Sequence, residues 1–529
     1  MKKIISFLFV FSIESTYLFG QSKNFFFGPP VQMGYQKLGA AKGIAGVIGD
    51  NYYVIENDYG GRFDFNNNIR TIITRFSISD GRFKGRFNLN ELIGNSRKEI
   101  NKILFCDVIA WKNKLVGFYT YKNPSGKNFL ASAALFDPNG KLIKDGIDIG
   151  DFEHDYVNGS FLWQGGLLVN GRNTLSVVKN FQYRMTPDSS QIIVLCSPRE
   201  GSGNVRFKTY DNSLSMQKEI VATIPLKEKV ADMIDFGMDN GGNVYVLTKT
   251  YKSKAERKKV SDDDDNYFEV HVLNVNDNSR PTTIPIDIPG KTINNAELIV
   301  KNNDQAYCFG NYWNSDNKKS SGHVTGVFSV HINQTAKPGQ IARSNYDLPD
   351  SVLEYLSFDE KVKKTKANGL EAKFGLYQGV PDNAGGMYVV IANEVVEATV
   401  RGTTGAMNSY VEMTKSFIIS YINNDKQIKW AVGFRELSRN PEMMTRADRS
   451  CFFEKDHNLL VAYVGGHELY SKMVNKENGH YMEPVVLGVL RDPYQGFRQL
   501  EKSVLPIGKG EFVIMMFANQ LSLAKFKVE

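Results

Sequence analysis

Over most of its length the chain alternates between short polar turns rich in Asn, Asp and Gly and apolar runs rich in Val, Ile, Phe and Tyr. Seven stretches share this form: GDNYYVIEND (49–58), WKNKLVGFYTY (111–121), PDSSQIIVLCS (187–197), MDNGGNVYVLTKTY (238–251), KNNDQAYCFGNYW (301–313), PDNAGGMYVVIANE (381–394) and KDHNLLVAYVGG (455–466). From Asn51 to His457 the six intervals average about 68 residues per unit. A second apolar run follows most of them: IRTIITRFSISDGRF (69–83), NFLASAALFDPNGKLI (128–143), VRFKTYDNSLSMQKEI (205–220), YFEVHVLN (267–274), HVTGVFSVHIN (323–333) and SFIISYINNDKQIKWAV (416–432). Several of these runs alternate in character, as half-buried strands do. In YFEVHVLN the alternation puts Phe268, Val270, Val272 and Asn274 on one face. The tips SDG, DPNG, DNS and NND supply residues that tolerate the positive φ of tight hairpin turns.

Helical periodicity is nearly absent; Asp350–Lys366 is the one segment that fits it, and it reads as an insertion. Repeated turn–strand–turn–strand units predict an all-β chain, a β-propeller in which each sheet buries both faces against its neighbours. The repeat count favours seven blades, with six or eight as alternatives and long inter-strand loops. A β-sandwich array or solenoid is the rival architecture, but units this long do not suit solenoid coils. The strands PVVLGVL (484–490) and GEFVIMMFANQLSLAKFKV (510–528) are expected to complete the last blade, with FFFGPPVQMGYQKL (25–38) supplying a closing strand. The expected organisation is a leader over 1–20 and a single propeller domain over 21–529, with insertions near 252–266 and 345–368.

The leader reading rests on Lys2 and Lys3, the apolar run Ile4 to Ile13, and a more polar stretch ending at Gly20. Ten apolar residues are too few to cross a hydrocarbon core about 30 Å thick. The segment therefore reads as a signal peptide cleaved after Gly20, although Glu14 and Leu18 depart from the usual pattern. Export to the periplasm or the cell exterior follows, with no transmembrane span in the mature chain. Removing 1–20 lowers the formal charge from +7 to +6, because that segment holds two Lys and one Glu. The densest basic run, Lys252 to Lys259, is followed at once by Asp262 to Asp265, so no one-signed face is expected and no nucleic-acid partner is predicted. Cys106, Cys196, Cys308 and Cys451 lie in or beside apolar runs without any CxxC pair, and read as buried free thiols.

Read in order, PDSSQIIVLCSPREGSGNVRFKTYDNSLSM, DNGGNVYVLTKTY, YFEVHVLN, CFGNYW before GVFSVHIN, GGMYVVIANE and SFIISYINNDKQIKWAV give residues 180–432 a family likeness. The chain resembles an uncharacterised family of exported, β-propeller-like proteins of Bacteroidetes-type bacteria. The resemblance implies fold and export; its motifs are structural and carry no active-site residues.

No nucleophile elbow, zinc-binding helix or P-loop is present. Ser77-Ile78-Ser79-Asp80-Gly81 is close to a sialidase Asp-box but lacks its spacing and aromatic anchor, so it reads as a hairpin turn. Trp430, in DKQIKWA, reads as a packing residue between blades. Asp262 to Asp265 lack the Gly and the distal Glu of a calcium loop. Two polar clusters are candidates for chemistry. In DFEHDY, Asp151, Glu153 and Asp155 alternate onto one strand face, away from His154, and read as an exposed loop. His457, His467 and His480 would make a three-imidazole metal site only if strands gathered them, and scatter on the surface is expected. No catalytic, cofactor or metal residues are therefore assigned.

The expected function is an exported scaffold, a monomer, that binds a protein or glycan partner at one end of the ring. The loops 252–266, 345–368, 398–414, 436–450 and 470–483 are the expected surface. The alternative is a hydrolase of glycans or lactones, which requires carboxylates and an imidazole converging on the channel.

Overall fold

The computed structural model describes residues 25–27, 31–32, 39–58, 70–98, 103–122, 129–152, 182–196, 204–224, 231–251, 266–274, 281–301, 305–314, 323–333, 341–356, 370, 374–401, 408–440, 450–465, 468–489, 498–508, 511–517 and 520–527. The expected all-β propeller is what these residues form. Seven four-stranded antiparallel sheets follow one another along the chain: blades 1 (39–88), 2 (104–152), 3 (182–223), 4 (231–286), 5 (291–347), 6 (375–440) and 7 (450–489). Within each, the four strands pair in sequence order. Every one of the seven turn-and-strand stretches read from the sequence is the first hairpin of one blade. The second apolar runs contain the third strands.

A further sheet closes the ring. Arg498–Gly508, Glu511–Phe517 and Gln520–Lys527 pair in order, and the N-terminal strand Phe25–Phe27 adds to the last of them, Phe25 opposite Phe526. Val31–Gln32 pairs with the same strand, Val31 opposite Leu521. The N-terminal segment thus supplies the closing strand expected of it. The expectation that 510–528 completes the seventh blade is corrected: Val485–Val489 finishes that blade, and 510–528 belongs to the closing sheet. The sequence offered no Asn- or Asp-rich turn there, because the hairpin before Glu511 is spelled Gly508-Lys509-Gly510. The first strand of blade 1, Gly39–Ile48, lies against Arg498–Gly508, so the two ends of the chain meet.

Alternation explains why these sheets stack rather than stand alone. In blade 4, Tyr245 and Leu247 pack with Cys308, Phe328 and Val330 of blade 5. The intervening Val244 and Val246 pack with Ile193, Leu195 and Phe207 of blade 3. A strand with period two therefore has two apolar faces, and both require a neighbour. Phe268, Val270 and Val272 share the face toward blade 5, as their alternation predicts. His271, on the opposite face, is fully buried between two hydroxyls, Nε2 at 3.0 Å from Thr248 Oγ1 and Nδ1 at 3.0 Å from Thr283 Oγ1. Burial pushes its pKa down to about 4, so it is a neutral core residue.

Two helices occur among the described residues. Asp350–Leu356 begins where expected, and 357–366 lies outside the described residues. Leu89–Ser96 was not foreseen; Asn88 caps it by accepting the Glu91 N–H at 3.3 Å. Eight residues are too few to establish a helical period in the sequence.

Cys308 and Cys451 are buried free thiols, and Cys196 is half-buried with its thiol 3.0 Å from the Ile149 carbonyl. Burial pushes Cys196 up to about 11 and Cys451 up to about 12. Alkylation with iodoacetamide at pH 8, localised by mass spectrometry, should leave these three thiols unmodified in the folded protein and modify them in denaturant.

Candidate functional site

Each blade is an antiparallel meander, so its two ends differ. The first–second and third–fourth turns lie at one end, and the second–third and blade-to-blade connections lie at the other. Five turns at the turn end share one hairpin form. At Asp137, Asp211, Asp239, Asp382 and Asn423 the backbone N–H of residue i bonds to the carbonyl of i+4, and that of i+3 returns to the carbonyl of i. Residue i+3 adopts positive φ in each: Gly140 (86°), Leu214 (52°), Gly242 (88°), Gly385 (93°) and Lys426 (65°). This is a type I turn followed by a left-handed residue. The leading side chain locks it. Asp137 Oδ1 accepts the Asn139 and Lys141 N–H groups, and Asp211 Oδ1 those of Ser213 and Ser215.

Neighbouring turns are then tied to one another. Tyr53 of blade 1 donates to the Pro138 carbonyl of blade 2 at 3.0 Å. Trp111 Nε1 donates to Ser189 O at 2.7 Å, and the Asp188 N–H to Asn240 Oδ1 at 3.1 Å. Trp430 Nε1 of blade 6 donates to Lys476 O of blade 7 at 2.7 Å, with its indole stacked on Tyr421. Trp430 is the interblade packing residue expected from sequence. Ser77–Gly81 is likewise a hairpin turn, with Asp80 accepting the Arg82 N–H at 3.1 Å.

A cluster of charged side chains joins the turns of blades 6 and 7. Asp456 and His457 have φ of 51° and 64°, the two-residue primed turn between the paired Lys455 and Asn458. That turn brings His457 Nδ1 to 3.7 Å from Asp382 Oδ1 and 3.9 Å from Glu454 Oε1. Donor atoms of Asp382, Glu454 and His457 all lie within 4.8 Å of one another, a spacing that suits a cation. The cation already present is an ammonium: Lys476 Nζ lies 2.7 Å from Asp382 Oδ2, and Tyr421 donates to the same oxygen at 2.8 Å. Asp382 Oδ1 accepts the Ala384 N–H, Glu454 Oε2 the Asn383 amide and Glu454 Oε1 the His457 N–H. With every carboxylate oxygen engaged, the residues form a clamp and fit a metal ion poorly. Burial alone would raise the Asp382 carboxyl, but Lys476, the Ala384 N–H and Tyr421 outweigh it and hold the pKa below the usual carboxylate value. The Asp382 hydrogen bond raises Lys476. Both charges are fixed at neutral pH, which disfavours proton transfer by this pair.

A second polar set, absent from the sequence reading, joins the first strands of the blades. Asp107, Asp235, Asn295 and Gln378 each sit at a register shift, where a bulge frees a side chain to point at the next blade. Tyr183 of blade 3 donates to Asp107 of blade 2 at 2.7 Å, and Arg184 pairs with Asp235 of blade 4 at 2.7 Å. Asp235 also accepts the Leu298 N–H of blade 5 at 3.1 Å; Asn295 donates to Phe374 O ahead of blade 6 at 2.9 Å, and Gln378 to Phe452 O of blade 7 at 3.0 Å. The available signal was positional: Asp107, Asp235 and Gln378 each stand four residues before the residue that closes the hairpin, Trp111, Asp239 and Asp382.

Of the residues singled out from sequence, His457 joins a cluster, but with carboxylates rather than other histidines. His480 is exposed in the third–fourth turn of blade 7, and Asp151 pairs opposite Leu130 in blade 2. Glu153, His154, Asp155, Asp262 to Asp265, His467 and the leader 1–20 lie outside the described residues.

No protein-family model matches the chain, and no curated protein matches it. Solved structures similar in fold include the Dos1 propeller (TM-score 0.39, 8% identity, 95% of this chain and 98% of that one). Others are the polysaccharide lyase Uly1 (0.35, 7%, 80% and 90%) and the β-propeller domain of the Trilobed protease from Pyrococcus furiosus (0.32, 9%, 90% and 98%). These loose likenesses concern the fold alone.

Lys476→Met strands a fully buried carboxylate and should cost about 3 kcal/mol in denaturant unfolding, whereas Asp382→Asn, which removes the charge, should cost less. The Asp382 contribution is present above the ordinary carboxyl pKa of 3.8 and is lost as pH falls through its depressed folded value, so wild type and Asp382→Asn should converge in acid. Millimolar Ca²⁺, Mg²⁺ or Zn²⁺ should leave the melting temperature unchanged.

Proposed function

We propose that this protein is an exported propeller scaffold, of the kind its sequence resembles, that binds a protein or glycan partner at the end opposite the tight turns. The observation that carries this reading is the asymmetry of the two ends. Tight turns at one end spend their polar groups on one another. The long connections 89–103, 153–181, 252–265 and 348–374 all join strands at the other end. Both helices belong to this set, one within 89–103 and one within 348–374.

Blade 6 adds an arm on the same side. Its second and third strands, Met387–Arg401 and Asn408–Ile422, run 15 residues each, against 8 for Val244–Tyr251 and Asn266–Leu273 in blade 4. The ladder continues from Glu394 opposite Lys415 to Arg401 opposite Asn408, and Val411 also pairs with Asn440. At about 3.3 Å per residue this carries the hairpin roughly 20 Å past the ring. Residues 398–401 and 408–414, expected as part of a loop, are therefore strand, as are 436–440. The expected loop 470–483 is also corrected: it spans the strand Glu468–Val474 and the turn after it, and so belongs to the tight-turn end. Among the described residues no helix is long and apolar enough to cross a membrane.

Photo-crosslinkers placed at exposed Tyr267 and Tyr355, on the long-connection side, should capture a discrete partner in cells, whereas those at Lys141 and Asp425 should not. Capture only from the turn end would overturn the assignment. Fractionation should recover the chain outside the cytoplasm with Gln21 as its N-terminus; recovery only in the cytoplasm with 1–20 intact would refute export.

A further inference from the structure

At the interface between blades 5 and 6, two lysine ammoniums form no ion pair among the described residues. Lys301, at the end of the first strand of blade 5 (Lys291–Val300), places Nζ 5.3 Å from the centroid of the Tyr307 ring. Lys426, in the third–fourth turn of blade 6, places its own Nζ 5.8 Å from the same ring. The His331 imidazole lies 4.9 Å from that ring, centroid to centroid. Among the described residues neither ammonium has a carboxylate within ion-pairing distance; Lys301 has only the Gly386 carbonyl at 3.4 Å. Asp382 lies near enough to be felt by Lys301 but is committed to Lys476.

Unpaired polar atoms line the same interface. Among the described residues, the buried atoms His331 Nε2, Ser329 Oγ and Ser420 Oγ have no hydrogen-bond partner. Ser329 and His331 share a face with Val327 on the third strand of blade 5, and Ser420 shares one with Ile418 and Ile422 in blade 6. Val327, Tyr307 and Phe309 pack with Ile418 and Ile422, so these faces oppose each other and the three orphaned atoms point into the same seam. Buried polar atoms left unpaired are rare in folded proteins, and each is costly.

We propose that the seam between blades 5 and 6 is a binding site for a small oxyanion, phosphate or sulfate, held by Lys301, Lys426 and His331. One tetrahedral anion offers acceptors to both ammoniums and to an imidazole or hydroxyl N–H or O–H, and its charge cancels the repulsion between the two lysines. The electrostatics agree. Burial first, and Lys426 second, lower the Lys301 pKa, and burial followed by the two lysines pushes His331 down to about 4. A Tyr ring is attractive to each cation but leaves the two cations repelling each other. The site lies at the tight-turn end and is independent of the partner surface proposed above.

The test is isothermal titration of the full folded chain with inorganic phosphate, with sulfate and with methyl phosphate, at ionic strength fixed with NaCl. Wild type should show one saturable site, and Lys301→Met and Lys426→Met should each weaken it about tenfold, while Lys84→Met, at an exposed position, leaves it intact. Binding of methyl phosphate as well means that the seam admits a monoester; binding of the inorganic ions alone means that it encloses a free ion. Without anion, the two seam variants should melt no lower than wild type, because each removes a repulsion; if instead both melt lower and anion affinity is unchanged, the lysines are packing cations and the proposal fails. No saturable binding above chloride, or affinity unaffected by either variant (an adventitious ion only), also overturns it.

Discussion

The constraint on which this structure depends is that no blade can bury both of its faces alone. Tyr245 and Leu247 face one neighbour and Val244 and Val246 the other, so each sheet is a partner to two more. Such a stack has unpaired outer faces unless it closes on itself. Closure here is made by the chain's own ends, with Phe25–Phe27 pairing to Gln520–Lys527. Apolar stacking alone leaves the first strands of adjacent blades without a common hydrogen-bond ladder. The bulged residues Asp107, Asp235, Asn295 and Gln378 supply that link between successive blades from the second to the seventh.

The same economy divides the molecule into two ends with different duties. At the turn end, carboxylates and amides that elsewhere would meet solvent or ligand are used first to lock their own hairpins and then to bind the neighbouring turn. The Asp382–Lys476–Tyr421 group, with Glu454 and His457 beside it, is the most charged of these joints. At the other end, the long connections and the blade 6 arm carry chain that the ring does not need for closure. A scaffold stiffened at one end and elaborated at the other suits the presentation of a surface. The oxyanion seam is a departure from the turn-end pattern, since there the turns bring together two lysines that no carboxylate among the described residues ion-pairs.

Much of the architecture was legible because it is written in local chemistry. The seven Asn/Asp/Gly-rich stretches are the first hairpins of the blades, and the tips SDG, DPNG, DNS and NND are third–fourth turns, since what a tight turn requires is met within a few neighbouring residues. The closing sheet was misassigned for the complementary reason: its hairpin uses Gly508-Lys509-Gly510, which lacks that acceptor. The arm of blade 6 was read as loop because its ladder depends on pairing between 395–401 and 408–414, not on apolar content. The clamp was only half visible. His457 drew attention, but Asp382, Glu454 and Lys476 come together through the closeness of two blades, which has no trace in linear spacing. Three of the bulged residues, Asp107, Asp235 and Gln378, did leave a trace, a polar residue four positions before the one that closes the hairpin, which becomes meaningful only once the strands are aligned by their hairpins.

Native-state hydrogen exchange resolved to single amides tests the division into two ends most directly. The account predicts that amides at Lys141, Ser215, Asn243 and Gly385, inside the locked turns, exchange as slowly as those of the central strand Val244–Tyr251, because opening them requires breaking the ring. Fast exchange at these turns, through local openings with free energies far below that of the strand, would contradict it.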